Sequence, residues 1–167
     1  MMTRKTLLIF GAVGLLTICA SAPAMAGGSV FAGLNMPSGD FSDVAKTSYQ
    51  LGASYGFPVA PMASVGAWGA YNRFSWQEGI DGNFNSIELL GYGRISAPVG
   101  VFGMLGLGFS NYKATLGDLA GDRETDFTWA MGGGYKMTML ELTAMYHSIS
   151  TDASSTNYFS ITAGLGF

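Results

Sequence analysis

The stretch Tyr158-Phe159-Ser160-Ile161-Thr162-Ala163-Gly164-Leu165-Gly166-Phe167 alternates without a break. Phe159, Ile161, Ala163, Leu165 and Phe167 share one face, and Tyr158, Ser160, Thr162, Gly164 and Gly166 share the other. Side chains in a strand point alternately to opposite faces, so this period-two pattern reads as a strand with one apolar and one polar or small face. Tyr49, Leu51, Ala53, Tyr55 and Phe57 repeat it against Gln50, Gly52, Ser54 and Gly56. Val99, Val101, Leu105, Leu107 and Phe109 form a third such face.

Working outward, eight segments show this patterning between turn-type clusters. They run over 28–36, 47–58, 62–74, 85–96, 99–112, 124–137, 139–149 and 157–167. The third is ambiguous, because both of its faces carry apolar residues. The connections alternate in length. Short ones sit at Pro58 to Pro61, Ala97-Pro98 and Thr138-Met139. Long polar ones cover 37–46, 75–84, 113–123 and 150–156. Short turns at one end and long loops at the other predict an all-β, eight-stranded antiparallel up-and-down transmembrane β-barrel, with both ends of the barrel segment on the periplasmic side.

Composition points the same way. Charged residues make up 11% of the 167 residues and hydrophobic ones 49%, with 25 glycines. A soluble domain carries about 25% charge. No apolar run after Ala26 approaches the ~20 residues of a spanning helix, so the apolar residues must be hidden by alternation. Outward aromatics fall in two sets. Tyr49, Phe109, Phe127, Trp129, Tyr146 and Phe159 belong to the outer rim, and Tyr55, Phe57, Tyr135 and Phe167 to the periplasmic rim. Aromatic belts at both interfaces are a membrane signature, because an amphipathic ring sits well at headgroup depth.

Residues 1–26 read as a signal peptide. Arg4 and Lys5 precede an apolar run from Leu7 to Ile18, and Ala24-Met25-Ala26 supplies a small-x-small cleavage pattern. Cys19 follows Ile18, where lipoprotein processing requires a small residue, so cleavage is expected near Ala26. The one cysteine then leaves with the leader. Residues 27–167 form the barrel domain, delivered to the cell outer membrane.

The same parity turns Glu88, Arg94, Asp126, Lys136, Glu141 and His147 inward. Eight strands enclose a space just wide enough for side chains, so these charges are expected to pair across the lumen. Lys136 and Glu141 flank the Thr138-Met139 turn, and Arg94 descends to their level. Arg94, Lys136 and Glu141 are therefore predicted to form an ionic cluster near the periplasmic end. Thr138-Met139 lacks the Gly or Asn that a two-residue hairpin turn prefers.

Other chemistries find little support. A net charge of −3 argues against nucleic acid. Phosphate-loop, metal-ligand and dinucleotide spacings are missing, so no cofactor or metal is expected. Gly106 and Gly108 form a Gly-x-Gly pair, but no helix pattern follows it. Glycines at alternate strand positions instead leave room for a large neighbour across a narrow lumen.

The chain resembles the small outer-membrane β-barrel superfamily that includes opacity-type surface proteins and the OmpX and OmpA membrane domains. Phe31-Ala-Gly-Leu-Asn-Met-Pro-Ser-Gly-Asp-Phe-Ser is similar to the first strand and loop of such proteins, and Tyr158 to Phe167 resembles their terminal strand. The resemblance implies that Phe159, Ile161, Ala163, Leu165 and Phe167 are read by the barrel-assembly machinery. It implies contact with outer-membrane lipid and lipopolysaccharide, and a monomer.

Members differ in task, so function rests on the loops. An adhesin-like scaffold with an extracellular partner at four external loops is the leading expectation. Asp40, Asp43, Trp76, Glu78, Asp81, Asp118, Asp122, Arg123, Glu124 and Asp126 are its polar and aromatic candidates. A small-solute or ion pore is the alternative, disfavoured by inward charges. A lipid A-modifying enzyme ranks lower. The deacylases among such barrels resemble one another in a His-x-Ser motif, whereas this chain reads His147-Ser148-Ile149-Ser150, so no catalysis is expected.

Overall fold

The computed structural model describes residues 27–77, 82–116, 119–151 and 155–167. The signal peptide expected over 1–26, together with Glu78, Asp81 and Asp118, lies outside them. Among the described residues, nine strands and one short helix follow in order: β1 Gly27–Ser38, α1 Phe41–Val44, β2 Ser48–Ala60, β3 Ala63–Ser75, β4 Gly82–Ser96, β5 Val101–Leu116, β6 Leu119–Ala120, β7 Glu124–Met137, β8 Leu140–Ser150 and β9 Ser155–Gly166. Apart from β6, a two-residue strand on the end of β5, each strand pairs antiparallel with its chain neighbours. The ring closes where β1 meets β9. Eight strands thus form a closed up-and-down barrel whose barrel ladders leave no free edge, the arrangement that satisfies backbone polar groups in lipid.

The closing seam shows why small residues stand where they do. Gly28 and Phe167 exchange backbone hydrogen bonds of 2.9 and 3.0 Å. A Cβ on Gly28 would lie 2.6 Å from the Phe167 ring, so the ring needs a glycine beneath it. Inside the barrel, Gly66 makes the same room for the ring of Tyr92.

The outer surface is apolar along its middle. Val30, Leu34, Leu51, Leu89, Ile95, Leu105, Leu107, Ile161 and Leu165 are all exposed. The third strand, ambiguous by pattern, turns Trp68, Ala70, Asn72 and Phe74 inward and Val65, Ala67, Tyr71 and Arg73 outward. Its inward apolar residues are explained by the lumen, which is layered rather than uniformly polar. Phe31, Trp68, Leu90, Phe102, Met104 and Met145 fill the middle, with Phe31 and Trp68 stacked at 3.9 Å.

The strand ends at the long-loop side depart from expectation. β4 begins at Gly82 and β5 runs to Leu116, so much of two expected loops is strand. Alternation continues there with its sign reversed: Phe84 and Tyr112 point inward, while Asn83, Asn85, Asn111 and Lys113 point outward. Above the lipid the outer face meets water, so polar residues take it. At the short-turn end, the turn after β4 takes four residues, with Gly100 at φ +89°. β5 therefore starts at Val101 rather than at 99.

Candidate functional site

At the short-turn end, Arg94 on β4 reaches across the lumen to Glu141 on β8. Its Nη1 donates to Oε2 at 2.8 Å. The guanidinium also lies 3.5 Å from the centre of the Phe102 ring, and its Nε donates to Ser96. Lys136 does not join this pair. It stands opposite Glu141 in the β7–β8 ladder, yet it is exposed and makes no ion pair among the described residues. One residue before the turn, its long chain can extend into the open mouth, where hydration of an ammonium is stronger than a second pairing.

A second polar layer lies above the apolar middle. His147 Nδ1 meets Glu88 Oε1 at 2.9 Å, and His147 Nε2 meets Ser160 Oγ at 2.9 Å. The Tyr158 hydroxyl donates to Glu88 Oε2 at 3.0 Å. Asn72 donates to Tyr158 and to Ser86, and Asn35 donates to Asn72. His147 and Tyr158 also stack with ring centres 4.5 Å apart.

Ser160, His147 and Glu88 stand in the order of a nucleophilic triad. The serine comes from the neighbouring strand rather than from the broken His-x-Ser motif. Glu88 and His147 have no solvent exposure and Ser160 has 1%, so the hydroxyl has no room for an approaching acyl group. The arrangement is instead a buried network in which each polar atom of Glu88 and His147 has a partner, while Asn35 Oδ1 at its edge has none. Sequence reading placed His147 and Glu88 inside but missed this link, because it depends on which levels of two distant strands face each other.

The mouth at the long-loop end is closed by a loop read as simply polar. Phe41, at the start of α1, drops into the lumen and packs against Phe74 and Phe84, with ring centres 5.1 and 5.6 Å away. Tyr158, Ile149 and Tyr112 complete this layer. Backbone bonds tie the loop down, Lys46 N to Ser75 O at 2.8 Å and Gln77 N to Val44 O at 2.9 Å. Trp76 joins the closure, its indole donating to Thr115 O at 2.8 Å. Glu124 and Asp126 both meet the Tyr112 hydroxyl, at 2.8 and 2.6 Å. Asp40, Asp43, Asp122 and Arg123 remain exposed at the rim.

Outside, the outer rim divides into two arcs. Phe109 packs edge-on against Phe127, and Trp129, Tyr146 and Phe159 form a row with ring centres 5.6 and 5.0 Å apart. The adjoining arc, on β3 to β5, carries Arg73, Asn85, Asn111 and Lys113.

A closed antiparallel ring, apolar outside and filled within, defines a small transmembrane β-barrel. Solved structures of transmembrane barrels match it. Ail, the attachment invasion locus protein of Yersinia pestis, solved in a phospholipid bilayer nanodisc, matches with a TM-score of 0.61 at 17% identity, covering 85% of this chain and 99% of that one. Neisserial surface protein A matches with a TM-score of 0.58 at 16% identity, covering 86% and 96%. A de novo designed transmembrane β-barrel matches at 0.54 and 15% identity, covering 84% and 95%. Identities of this size bear on the fold alone, and the designed barrel shows that the fold needs no inherited task. No family model matches the chain, and no curated protein does.

Proposed function

We propose that this is an integral outer-membrane protein that acts as a surface-interaction scaffold, adhesin-like, through its external loops. The carrying observation is the filled lumen beneath an apolar outer wall. With the wall given to lipid and the interior to side chains, recognition falls to the external rim. Ail, a protein of the same architecture, is by name an attachment and invasion protein, which favours this reading. Deleting the gene should lower binding of whole cells to host-matrix proteins, and re-expression should restore it. Unchanged binding after deletion would exclude adhesion.

The barrel is proposed to work as a monomer, without catalysis and without nucleic acid, after cleavage near Ala26. Its pairing is complete without a second copy, and its triad-like group is sealed. A pore is disfavoured by the three stacked barriers of Arg94–Glu141, the Phe31–Trp68 layer and the Phe41 plug. Phe159, Ile161, Ala163, Leu165 and Phe167 line the outer face of the closing strand, and we propose that they serve as the signal for barrel assembly.

A further inference from the structure

Two carboxylates at the long-loop end share a single hydroxyl. Glu124 and Asp126 stand two apart on β7, so both take the same face of the strand, and Tyr112 on β5 stands directly opposite Glu124. The Tyr112 hydroxyl lies 2.8 Å from Glu124 Oε2 and 2.6 Å from Asp126 Oδ2. A phenol has one hydrogen to donate. It satisfies one carboxylate, and the other then meets an oxygen lone pair at hydrogen-bond distance. Oxygens held this close need a positive charge among them, either a shared proton or a metal cation.

No side chain nearby supplies that charge. Burial first, and then the two carboxylates, hold the Tyr112 hydroxyl well above the ordinary phenol range, so it stays neutral. Its ring is fixed by stacking on Phe84, with centres 5.3 Å apart. Among the described residues, ion pairs join Arg94 to Glu141 and His147 to Glu88, and none reaches Glu124 or Asp126. Arg123, next to Glu124 in the chain, donates to Asn111 instead, at 3.1 Å.

A buried hydroxyl beneath them is an independent sign of a missing partner. Ser110 stands directly opposite Asp126 and two residues before Tyr112, on the same inner face. It has no solvent exposure, yet its Oγ has no hydrogen-bond partner. Directly opposite residues on one face have Cβ atoms about 4.5–5.5 Å apart, so Ser110 Oγ opens onto the space beside the Asp126 carboxylate. Its other ladder neighbour, Glu88, has both carboxylate oxygens engaged by His147 and Tyr158. A buried hydroxyl left unbonded is costly unless a ligand completes it. The way in is from the rim, where Glu124 is exposed and Asp126 half-buried.

We infer that Glu124, Asp126, Tyr112 and Ser110 hold a divalent cation, Ca2+ by preference, between β5 and β7 at the long-loop mouth. Ca2+ takes 6–8 oxygen ligands in flexible geometry. The two carboxylates bind it directly, the two hydroxyls face it, and waters entering beside Glu124 complete the shell. Its two charges answer two carboxylates, which one shared proton does not. Mg2+ demands a near-ideal octahedron and gives up its waters reluctantly, so it fits this irregular set less well. The ligands come from two strands paired in register, which is why no metal-ligand spacing shows in the sequence. Bound there, the cation clamps the ends of β5 and β7 and fixes Tyr112 in the layer that closes the mouth. This goes beyond the surface-interaction reading and does not depend on it.

The test uses the folded protein in phosphatidylcholine nanodiscs at neutral pH, with Tb3+ as a luminescent probe excited through tyrosine. The wild type should give saturable emission that Ca2+ displaces with a Kd of about 0.1–1 mM, the range of extracellular sites, and Mg2+ about tenfold less well. E124Q/D126N should lose the saturable emission while keeping the cold SDS-resistant form, and D43N, exposed on the first loop, should keep both. Absence of saturable emission from the wild type would mean a shared proton and would overturn the inference. Equal displacement by Mg2+ and Ca2+, the mark of a diffuse acidic surface, would overturn it too, as would full emission from a folded E124Q/D126N. Should that variant fail to fold, S110A decides: it should weaken Ca2+ several-fold, and unchanged affinity would contradict the site. Whole-cell adhesion is not a readout here, so either result leaves the surface-interaction reading where it stands.

Discussion

Glu141 and Lys136 face each other across a two-residue hairpin, yet only Glu141 is enclosed. Its carboxylate holds Arg94 where little water reaches, so Glu141→Gln should cost about 1–3 kcal/mol in urea unfolding from lipid vesicles. Lys136→Gln should change stability by less than about 0.5 kcal/mol in the same assay, as an exposed unpaired charge does. Comparable losses for both would mean that Lys136 contributes to the cluster after all. Parity along each strand announces which residues face inward, and that much was legible. Whether a lysine at the rim pairs or extends into water depends on side-chain reach, which parity does not encode. The turn between the two residues is legible as an oddity. Thr138 adopts φ +49°, a left-handed conformation that costs a β-branched residue about 1–2 kcal/mol. Thr138→Gly should therefore raise stability by about 1 kcal/mol, less glycine's greater unfolded-state entropy. No gain would show that the turn is relaxed as it stands.

The strands were readable where lipid and lumen impose opposite polarities, as β2 and β9 illustrate. They were not readable where β4 and β5 leave the membrane. Asn83 and Lys113, just past the expected strand ends at Asn85 and Tyr112, read as loop because polar residues dominate, although the period of two persists with aromatic Phe84 and Tyr112 inward. The first loop hid its structure for a related reason. One aromatic, Phe41, fixes it, and a single residue makes no periodic signal. Phe41→Ala should release α1 from the mouth at a cost of about 3 kcal/mol, within the range for truncating a buried aromatic. Limited proteolysis of whole cells should then cut near residues 39–47 in the variant and spare the wild type. Equal resistance would mean that the Lys46–Ser75 and Gln77–Val44 bonds hold the loop without its anchor. The closing strand offers a separate test. Phe167→Ala should reduce the amount of protein in the outer membrane several-fold. It should leave the unfolding of already refolded protein much less affected, since the side chain lies on the surface. Normal outer-membrane levels would remove Phe167 from the proposed assembly signal.

At the level of the whole molecule, three facts agree: a ring closed between β1 and β9, an exterior apolar between two rims, and an interior filled in layers. Each follows from alternation over eight segments, and for that reason the architecture could be read before any geometry was known. The lumen's layering could not. Glu88 and His147 lie 59 positions apart, and the strand patterns alone do not say which levels of β4 and β8 meet across the barrel. A closed ring predicts cooperative resistance, because unzipping any strand exposes unpaired backbone on two edges. The most direct test compares unheated and boiled outer-membrane fractions by electrophoresis in SDS. The protein should be enriched in that fraction, migrate as a compact form when cold and shift to its unfolded mobility on boiling. A single mobility at both temperatures, with the protein recovered in the soluble periplasm, would contradict the membrane barrel.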